Sequence, residues 1–387
     1  MELINGAKQT LDIAGMYMTL TQGSQWPEDA GGWMGQNIFD AILNATQRGV
    51  KVRFVQTWPQ QDPEWVHDPT VLAAAGVDVR NVLWPKLTNG SGGVLHTKFL
   101  IADGASLYLG SANWDWRSLS QIKELGIVVH QCQAMTVDLT KIFEIYWLLA
   151  GRNSLPSSYP PKLDTPWNLS NYSNLTIGDD QFTWFFAASP AGFITPHRTN
   201  DWEALVAVIE RAEVHVSVSV MDYSPVTLYQ PRPEYWGAID NALREAAFRG
   251  VSVNLLFARW AHTSNSTIQF MRSLAALDNV KVKLMEIPPW KEVIPFTRVN
   301  HSKYMITDNE AYITTSNWTP DYFLHTGGVS ICFRNADFQS DIQTIFDRYA
   351  RSSSVCWPAL IVAIGTGRLS IRRCSSPEWR IVRCGAL

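Results

Sequence analysis

The sequence contains little cysteine, little net charge and no long apolar run. Five cysteines among 387 residues exclude a disulfide-rich scaffold, and their odd number leaves at least one unpaired. A formal net charge of −3 gives no sign of nucleic-acid or anionic-membrane binding at neutral pH. No apolar stretch approaches the roughly 20 residues of a membrane-spanning helix, and no signal peptide is recognisable. With 46% hydrophobic and 17% charged residues, the composition indicates a folded, core-forming protein.

The chain does contain histidines and N-glycosylation sequons, and both bear on its cellular environment. Protonation of its eight histidines would reverse the sign of the net charge, so the protein would attract polyanions in an acidic compartment but not strongly at neutral pH. The sequons predict a protein of the secretory pathway, with glycans at Asn44, Asn89, Asn168, Asn171, Asn174 and Asn265. Because such sequons need an entry signal, we expect the natural protein to have a segment before residue 1.

The chain repeats itself at a separation of about 205 residues. Segment 39–55, FDAILNATQRGVKVRFV, matches segment 239–257, IDNALREAAFRGVSVNLLF, and each reads as an amphipathic helix followed by a strand. Both halves continue with a helix, a strand and a hairpin, and close with a strand and a helix. This order predicts an α/β sandwich in each half, a mainly parallel sheet flanked by helices. We predict a first lobe at 1–150, a connector at 151–200, a second lobe at 201–350 and an atypical tail at 351–387.

Polar residues are the best-matched part of the repeat. The pattern H-x-K-x4-D occurs twice, at His96, Lys98 and Asp103 and at His301, Lys303 and Asp308. Positions i and i+2 of a strand share a face, so each half presents an imidazole beside an ammonium group. An asparagine follows each hairpin, with a hydroxyl two residues earlier. These neutral groups are candidates for lining a phosphate: Asn113 with Ser111, and Asn317 with Thr315.

Two imidazoles, two ammonium groups and two amides that converge on one cleft fit an attack on a phosphodiester. One histidine attacks phosphorus and forms a phosphohistidine, while the other protonates the leaving oxygen and then activates water. The lysines and asparagines stabilise charge on the equatorial oxygens. No carboxylate cluster has metal-ligand spacing, so we expect no metal and no other cofactor. A single His-x-Lys pair would more often be a packing or salt-bridge feature, but the occurrence of the whole set twice favours catalysis.

These paired motifs, with GSAN at 110–113 and SQIKELGIVV at 120–129, resemble those of the phospholipase D superfamily. The resemblance covers essentially residues 1–350 and is strongest to the third and fourth animal homologues. It implies a two-lobed, pseudo-dimeric fold with the active site between the lobes. For this branch it also implies a 5′→3′ exonuclease acting on single-stranded DNA and RNA, in a glycosylated type II membrane protein of the endolysosomal lumen. The membrane anchor would lie before residue 1, and a homodimer and a phospholipid ligand are compatible with this resemblance.

The resemblance assigns roles by position. His96 would be the nucleophile and His301 the acid/base, although the two could be reversed. Phosphate binding would fall to Lys98, Asn113, Lys303 and Asn317. Glu124 matches a carboxylate that orients the first-half histidine, whereas Gly328 stands at the matching second-half position, so His301 is expected to lack an orienting partner. Asp103 and Asp308 are expected to pair outside the cleft.

Three functions stay open at this point. The first is the exonuclease, the second a phospholipid hydrolase or transphosphatidylase with the same phosphohistidine, and the third an inactive glycoprotein retained for binding. Motif chemistry does not separate the first two, because both substrates present a phosphodiester. Trp114 and Trp318, directly after the asparagines, are candidates for lining the cleft, and Asn317 is not expected to carry a glycan although it begins a sequon. The tail, with five arginines and three cysteines after Val355, is expected to be a loosely packed addition without a function.

Overall fold

The computed structural model describes residues 1–58, 63–88, 90, 92–177, 180–351, 360–364 and 370–371. Within these residues the strands are β1 (Thr10–Gly15), β2 (Met18–Thr19), β3 (Lys51–Thr57), β4 (Asp78–Val82), β5 (Phe99–Ala102), β6 (Ser106–Gly110), β7 (Trp114–Asp115), β8 (Leu125–Val129), β9 (Ser173–Ile177), β10 (Asp180–Ser189), β11 (His215–Val220), β12 (Ser252–Ala258), β13 (Val280–Met285), β14 (Tyr304–Thr307), β15 (Ala311–Thr314), β16 (Gly328–Arg334), β17 (Leu360–Ile364) and β18 (Ser370–Ile371). The α-helices are α1 (Glu2–Gly6), α2 (Trp33–Gln47), α3 (Pro63–Ala74), α4 (Trp84–Leu87), α5 (Trp116–Ser120), α6 (Gln133–Leu149), α7 (Asp201–Glu210), α8 (Ala238–Phe248), α9 (Asn265–Ala275), α10 (Pro320–Leu324) and α11 (Ala336–Arg351).

Two large sheets, one in each half of the chain, carry the predicted duplication. The first has the order β4-β3-β1-β5-β6-β8-β17-β18 and the second the order β13-β12-β11-β14-β15-β16-β10-β9. The registers match as well, because Ala14 pairs with Phe99 in the first lobe as Ser219 pairs with Tyr304 in the second. The prediction of a two-lobed α/β fold is confirmed.

The sheets are mixed, which corrects the expectation of a mainly parallel arrangement. Parallel pairing joins β1, β3 and β4 in the first lobe and β11, β12 and β13 in the second. The motif hairpins, β5–β6 and β14–β15, pair antiparallel with each other and with both of their outer neighbours. Tight turns join these strands, and a tight turn connects only antiparallel neighbours.

Helices form the layers outside and between the sheets. Apolar residues of α1, α2 and α3 share a core with the outer face of the first sheet, and those of α7, α8 and α9 do the same on the second. Between the sheets lie α6 and α11, whose side chains enter one continuous core with both lobes. Helix α11 supplies a buried stripe at helical spacing, made of Phe338, Ile342, Ile345, Phe346 and Tyr349. Each such side chain contributes about 1.5–3 kcal/mol by leaving water, so the lobes are held together by apolar packing.

Parts of the predicted connector and tail extend the sheets. Strands β9 and β10 lie within 151–200 and complete the second sheet. Strand β17 of the tail pairs in parallel with β8. In the second sheet the equivalent of β8 is β16, and β10 occupies the place beside it, although β10 pairs antiparallel. The tail cysteines, Cys356, Cys374 and Cys384, lie outside the described residues, and Cys132 and Cys332 are buried thiols. None of the helices in the described part of the chain is both long and apolar enough to span a membrane.

Candidate active site

The hairpin of each lobe brings its His-x-Lys pair to the place where the lobes meet. Strand β5 runs antiparallel to β1, so its beginning lies beside the carboxyl end of β1. His96 and Lys98 come just before β5, and backbone pairing reaches them because Gly110 N donates to Lys98 O at 3.1 Å. In the second lobe Thr314 N donates to Lys303 O at the same distance. Both pairs therefore lie at the carboxyl edge of the central strand of their sheet.

The two pairs are joined across the lobes by the backbone. His96 N donates to Gly327 O at 2.8 Å, and His301 N donates to Lys123 O, also at 2.8 Å. The ring centroids of the two histidines are 6.4 Å apart, with the ring planes at 75°. Both side chains are buried, at 6% and 7% exposure. The structure thus brings together the two motifs that the sequence separates by about 205 residues.

The two lysines are fully buried and bound in the same way. The Lys98 ammonium donates to the carbonyl of His96, and Lys303 Nζ donates to the carbonyl of His301 at 2.6 Å. Burial is the largest cause of the lowered pKa of both lysines, and the neighbouring Lys303 charge lowers the pKa of Lys98 further. An anion in the cleft would offset this cost, because a buried cation is stabilised by an opposite charge.

Glu124 orients His301, which corrects the expectation that it serves the first-half histidine. Its carboxylate oxygens accept from His301 Nδ1 at 2.8 and 2.9 Å. The reason is the docking of the lobes, since Lys123, directly before Glu124, forms a parallel bridge with Asn300, and His301 N donates to Lys123 O. The expectation that His301 lacks a partner is wrong for the same reason.

His96 has a neutral partner instead. Its Nδ1 lies 3.0 Å from the carbonyl oxygen of Thr315, which can only accept. In both histidines Nδ1 therefore carries the proton of the neutral ring, and Nε2 is the unprotonated nitrogen. Burial lowers the pKa of His96 well below its usual range, and the charges of both lysines lower it further. Burial also lowers the pKa of His301, to about 4, although Glu124 counteracts it.

The hydroxyl of Ser111 is committed to Glu124, which corrects its assignment as a phosphate-lining group, whereas the hydroxyl of Thr315 keeps a proton to donate and stays a candidate. Ser111 Oγ donates to Glu124 at 2.6 Å and accepts from Leu125 N at 2.9 Å. Thr315 Oγ1 accepts from Val329 N at 3.0 Å. Both residues are completely buried. Burial alone would raise the pKa of Glu124, but the charge and hydrogen bond of His301, the charge of Lys303 and the hydrogen bond of Ser111 together outweigh it, and the pKa is lowered.

The tryptophans that follow the two asparagines do not line an open cleft. The side-chain oxygens of Asn113 and Asn317 are buried and have no protein partner. Asn317 Nδ2 donates to Asp222 at 3.2 Å. Trp114 and Trp318 are 6% and 1% exposed and belong to the cores of their lobes, which corrects the cleft-lining prediction.

The aspartates of the two motifs lie at the far end of the hairpins. Asp103 has a positive φ of 54° at the turn, and its carboxylate accepts from the backbone N–H groups of residues 8, 9 and 10, where β1 begins. Asp308 accepts in the same way from residues 213, 214 and 215, where β11 begins. Both carboxylates therefore fix the start of a central strand and do not reach the histidines, in the position expected of structural residues.

The sequence of this chain is similar to those of a known protein family. Residues 1–290 match the family model described as PLD3/4, PLD-like domain. The chain belongs to this family. Phospholipase D Z of Dictyostelium discoideum is 42% identical over 353 residues, which is 90% of this chain and 83% of that protein. The 5′-3′ exonuclease PLD3 of Xenopus tropicalis is 39% identical over 365 residues, 90% of this chain and 73% of that protein.

The fold has a solved relative as well. The phosphatidylserine synthase of Haemophilus influenzae Rd KW20 superposes with a TM-score of 0.60 at 12% identity, over 90% of this chain and 82% of that chain. This likeness is one of fold alone. Family membership confirms the resemblance found in the motifs and makes this chain a phosphodiesterase of the phospholipase D superfamily.

Sequence reasoning missed three buried polar residues of this phosphodiesterase site. Lys123 crosses between the lobes and donates to Asn300 Oδ1 at 3.1 Å. Asp201 accepts from Ser316 Oγ at 2.8 Å and so fixes the loop that carries Asn317. Asp222 binds Asn317 directly. None of the three belongs to the H-x-K-x4-D pattern, although Lys123 precedes Glu124 within the quoted SQIKELGIVV segment.

The predicted glycosylation sites differ in exposure from the buried residues of the site. Asn44, Asn171, Asn174 and Asn265 are exposed, Asn168 is half-buried, and Asn89 lies outside the described residues. Asn317 is 1% exposed, and Asn300, which also begins a sequon, is completely buried. In the described ranges, no group of three or more His, Cys, Asp or Glu side chains could hold a metal ion.

Proposed function

We propose that this phosphodiesterase is a 5′→3′ exonuclease on single-stranded DNA and RNA that works through a phosphohistidine. The observation that carries the chemistry is the pair of buried imidazoles, 6.4 Å apart, each with Nδ1 committed to an acceptor, so that Nε2 is left as the nucleophile on His96 and as the proton carrier on His301. Two buried ammonium groups flank them. The name of the PLD3 relatives supports the substrate class.

Two displacements at phosphorus make up the reaction. His96 Nε2 attacks the phosphodiester, so an N–P bond forms and the P–O bond to the leaving nucleoside breaks, while His301 donates a proton to the leaving oxygen. A water molecule then attacks the phosphohistidine as His301 removes its proton. The N–P bond breaks, and the phosphate monoester leaves with the added oxygen. Lys98 and Lys303 stabilise the negative charge that gathers on the equatorial oxygens.

The surroundings of the histidines support this division of roles. The strongly lowered pKa of His96 keeps its ring neutral, hence nucleophilic, even in an acidic solution. Glu124 stabilises the imidazolium form of His301, as a general acid requires. The opposite assignment would place the proton donor on the ring that lacks a carboxylate partner.

Cleavage of an oligonucleotide tests the proposal. The protein is incubated at about pH 5 with EDTA and a 3′-labelled single strand bearing a 5′-hydroxyl, beside a strand with a blocked 5′ end and beside phosphatidylcholine vesicles. We expect progressive shortening of the free strand from its 5′ end, protection of the blocked strand, and no activity in the His96→Ala variant. Hydrolysis of the phospholipid without cleavage of the strand would favour the lipid alternative, and no turnover of either substrate would favour the inactive glycoprotein.

We further propose a lumenal, endolysosomal location and an acidic working pH. Four predicted sequon asparagines are exposed on the folded chain, as glycosylation requires, and this supports the proposal. Loss of apparent mass on treatment of the cellular protein with an endoglycosidase is the expected result. An unchanged mass would argue against passage through the secretory pathway.

A further inference from the structure

Asp222 is a buried carboxylate beside the second half of the site, two residues after β11. It is 9% exposed, and its Oδ2 accepts from Asn317 Nδ2 at 3.2 Å. Its backbone carbonyl also accepts from Trp318 N at 2.9 Å. Asp222 is thus tied to the asparagine loop by both its side chain and its main chain.

The charged groups around Asp222 come from four different segments. The Lys303 ammonium precedes β14, and His262 follows β12; both positive charges favour the ionised carboxylate. The phenols of Tyr229 and Tyr322 also face it, and besides burial its negative charge helps to raise the pKa of both. Burial nevertheless dominates at Asp222 itself and raises the pKa of its carboxyl above the usual range.

The first lobe has no carboxylate at this position. Ala14 and Ser219 are equivalent by sheet register, so three residues later Tyr17 corresponds to Asp222. Tyr17 directs its hydroxyl away to Asp115 at 3.1 Å. A carboxylate at this register position is therefore a property of the second half alone.

An ionised Asp222 competes with the substrate for the same cationic and amide donors. Lys303 and Asn317 are the phosphate-binding groups of the second half in the function proposed above. Asp222 accepts a hydrogen bond from Asn317, and its carboxylate feels the charge of Lys303. An ionised Asp222 and a substrate phosphate bound to the same donors repel each other. A protonated Asp222 carboxyl avoids this repulsion and still accepts from the Asn317 amide through its carbonyl oxygen.

We propose that Asp222 is a positioning residue that fixes the amide of Asn317 for the substrate phosphate, and that its deprotonation weakens phosphate binding as the pH rises. The proposal rests on the proposed phosphodiesterase chemistry of Lys303 and Asn317. It does not depend on whether the phosphodiester belongs to a nucleic acid or to a lipid. The proton that Asp222 gains comes from solvent, so acid favours substrate binding at this half of the site.

Two substitutions separate the positioning effect from the charge effect. Asp222→Asn keeps an acceptor oxygen for Asn317 but removes the charge, and Asp222→Ala removes both. Steady-state kinetics from pH 4 to pH 6, below the lowered Lys303 pKa of about 7, should show KM rising roughly tenfold with pH in the wild type and staying nearly constant in Asp222→Asn. In Asp222→Ala, kcat/KM should be about tenfold below that of Asp222→Asn at every pH, because neither variant carries the charge and only the alanine no longer holds the amide. Tyr17→Phe, at the equivalent place in the first lobe, should leave the KM–pH curve unchanged.

Binding of inorganic phosphate, measured by calorimetry over the same pH range, gives a readout that needs no turnover. Phosphate affinity that falls with pH in the wild type but not in Asp222→Asn supports the inference even if oligonucleotide is not cleaved, a result that would count against the proposed function only. A wild-type KM–pH or phosphate-affinity curve in Asp222→Asn overturns the inference. If Asp222→Ala fails to fold, as its circular dichroism would show, the Asn variant alone decides.

Discussion

The two lobes are alike in how they hold their lysines and different in how they hold their histidines. In each lobe the lysine ammonium donates to the carbonyl of its own motif histidine, and the motif aspartate clamps the start of the central strand. His301, however, is backed by the Glu124 carboxylate, and His96 by the carbonyl of Thr315. A duplicated chain has thus produced an asymmetric pair of imidazoles, as a reaction with one nucleophile and one acid requires.

Packing explains why the second lobe has no counterpart of Glu124. That position is Gly328, where an added Cβ would lie 2.3 Å from Ser316 Oγ and 2.9 Å from Ser189 Oγ. The space is taken by the hydroxyl groups that surround Asp201, which accepts from Ser316 and from Tyr312 Oη at 2.5 Å. The carboxylate of this lobe therefore supports a loop, whereas that of the first lobe supports a histidine.

Exchange of each histidine for alanine gives the largest expected effect and tests the asymmetry directly. Both His96→Ala and His301→Ala should lower kcat on the order of 10⁴-fold or more on a substrate with a poor leaving group. With a p-nitrophenyl phosphodiester, which needs no acid, His301→Ala should still form the phosphohistidine and accumulate it on His96, since water activation is lost. Mass spectrometry of the quenched protein locates the phosphate. A phosphate trapped on His301 in the His96→Ala variant would reverse the roles.

Removal of the Glu124 charge is the next largest expected change. Glu124→Gln should lower kcat roughly 10²- to 10⁴-fold, because the imidazolium form of His301 loses its carboxylate. The pKa of His301 should also fall below about 4, so that the pH–rate profile moves to lower pH. Asp201→Asn is the matched control, a buried carboxylate that binds loop hydroxyls instead of a histidine, and its pH–rate profile should match that of the wild type. An unshifted profile in Glu124→Gln would remove the basis for the comparison of the lobes.

The motif aspartates should give the smallest effect on activity and a similar loss of stability in both lobes. Asp103→Asn and Asp308→Asn each weaken a carboxylate bound by backbone N–H groups, so we expect about 1–3 kcal/mol less free energy of unfolding. Those N–H groups lower the pKa of both carboxyls although burial alone would raise it. The stabilisation is therefore present above the unfolded pKa of about 3.9 and is lost as the pH falls through the lowered folded value.

Urea unfolding at pH 7, pH 5 and pH 3 measures this contribution. The difference between wild type and each variant should be complete at pH 7 and pH 5 and smaller at pH 3. A large loss of kcat in either variant without a loss of stability would place these aspartates in the chemistry and contradict their position in the hairpins.

The sequence by itself determined the local features of this protein. Short-range geometry underlies the i, i+2 spacing of His96 and Lys98 and the turn at Asp103. These features recur in the second half, and they predict the hairpins and the paired motifs. The alternation of strands and helices gives the two-lobed α/β fold for the same reason. The antiparallel pairing of these hairpins with their outer neighbours was not predicted, because alternation alone does not report the direction in which a strand pairs.

Only the tertiary structure decided which side chains meet. Glu124 serves His301, Asp222 binds Asn317, and the two tryptophans after the asparagines are core residues. These outcomes depend on how two lobes dock through a shared apolar core, and repeat spacing carries no information about that docking. The motifs therefore specify the chemical groups of the site, whereas long-range packing assigns each group its partner.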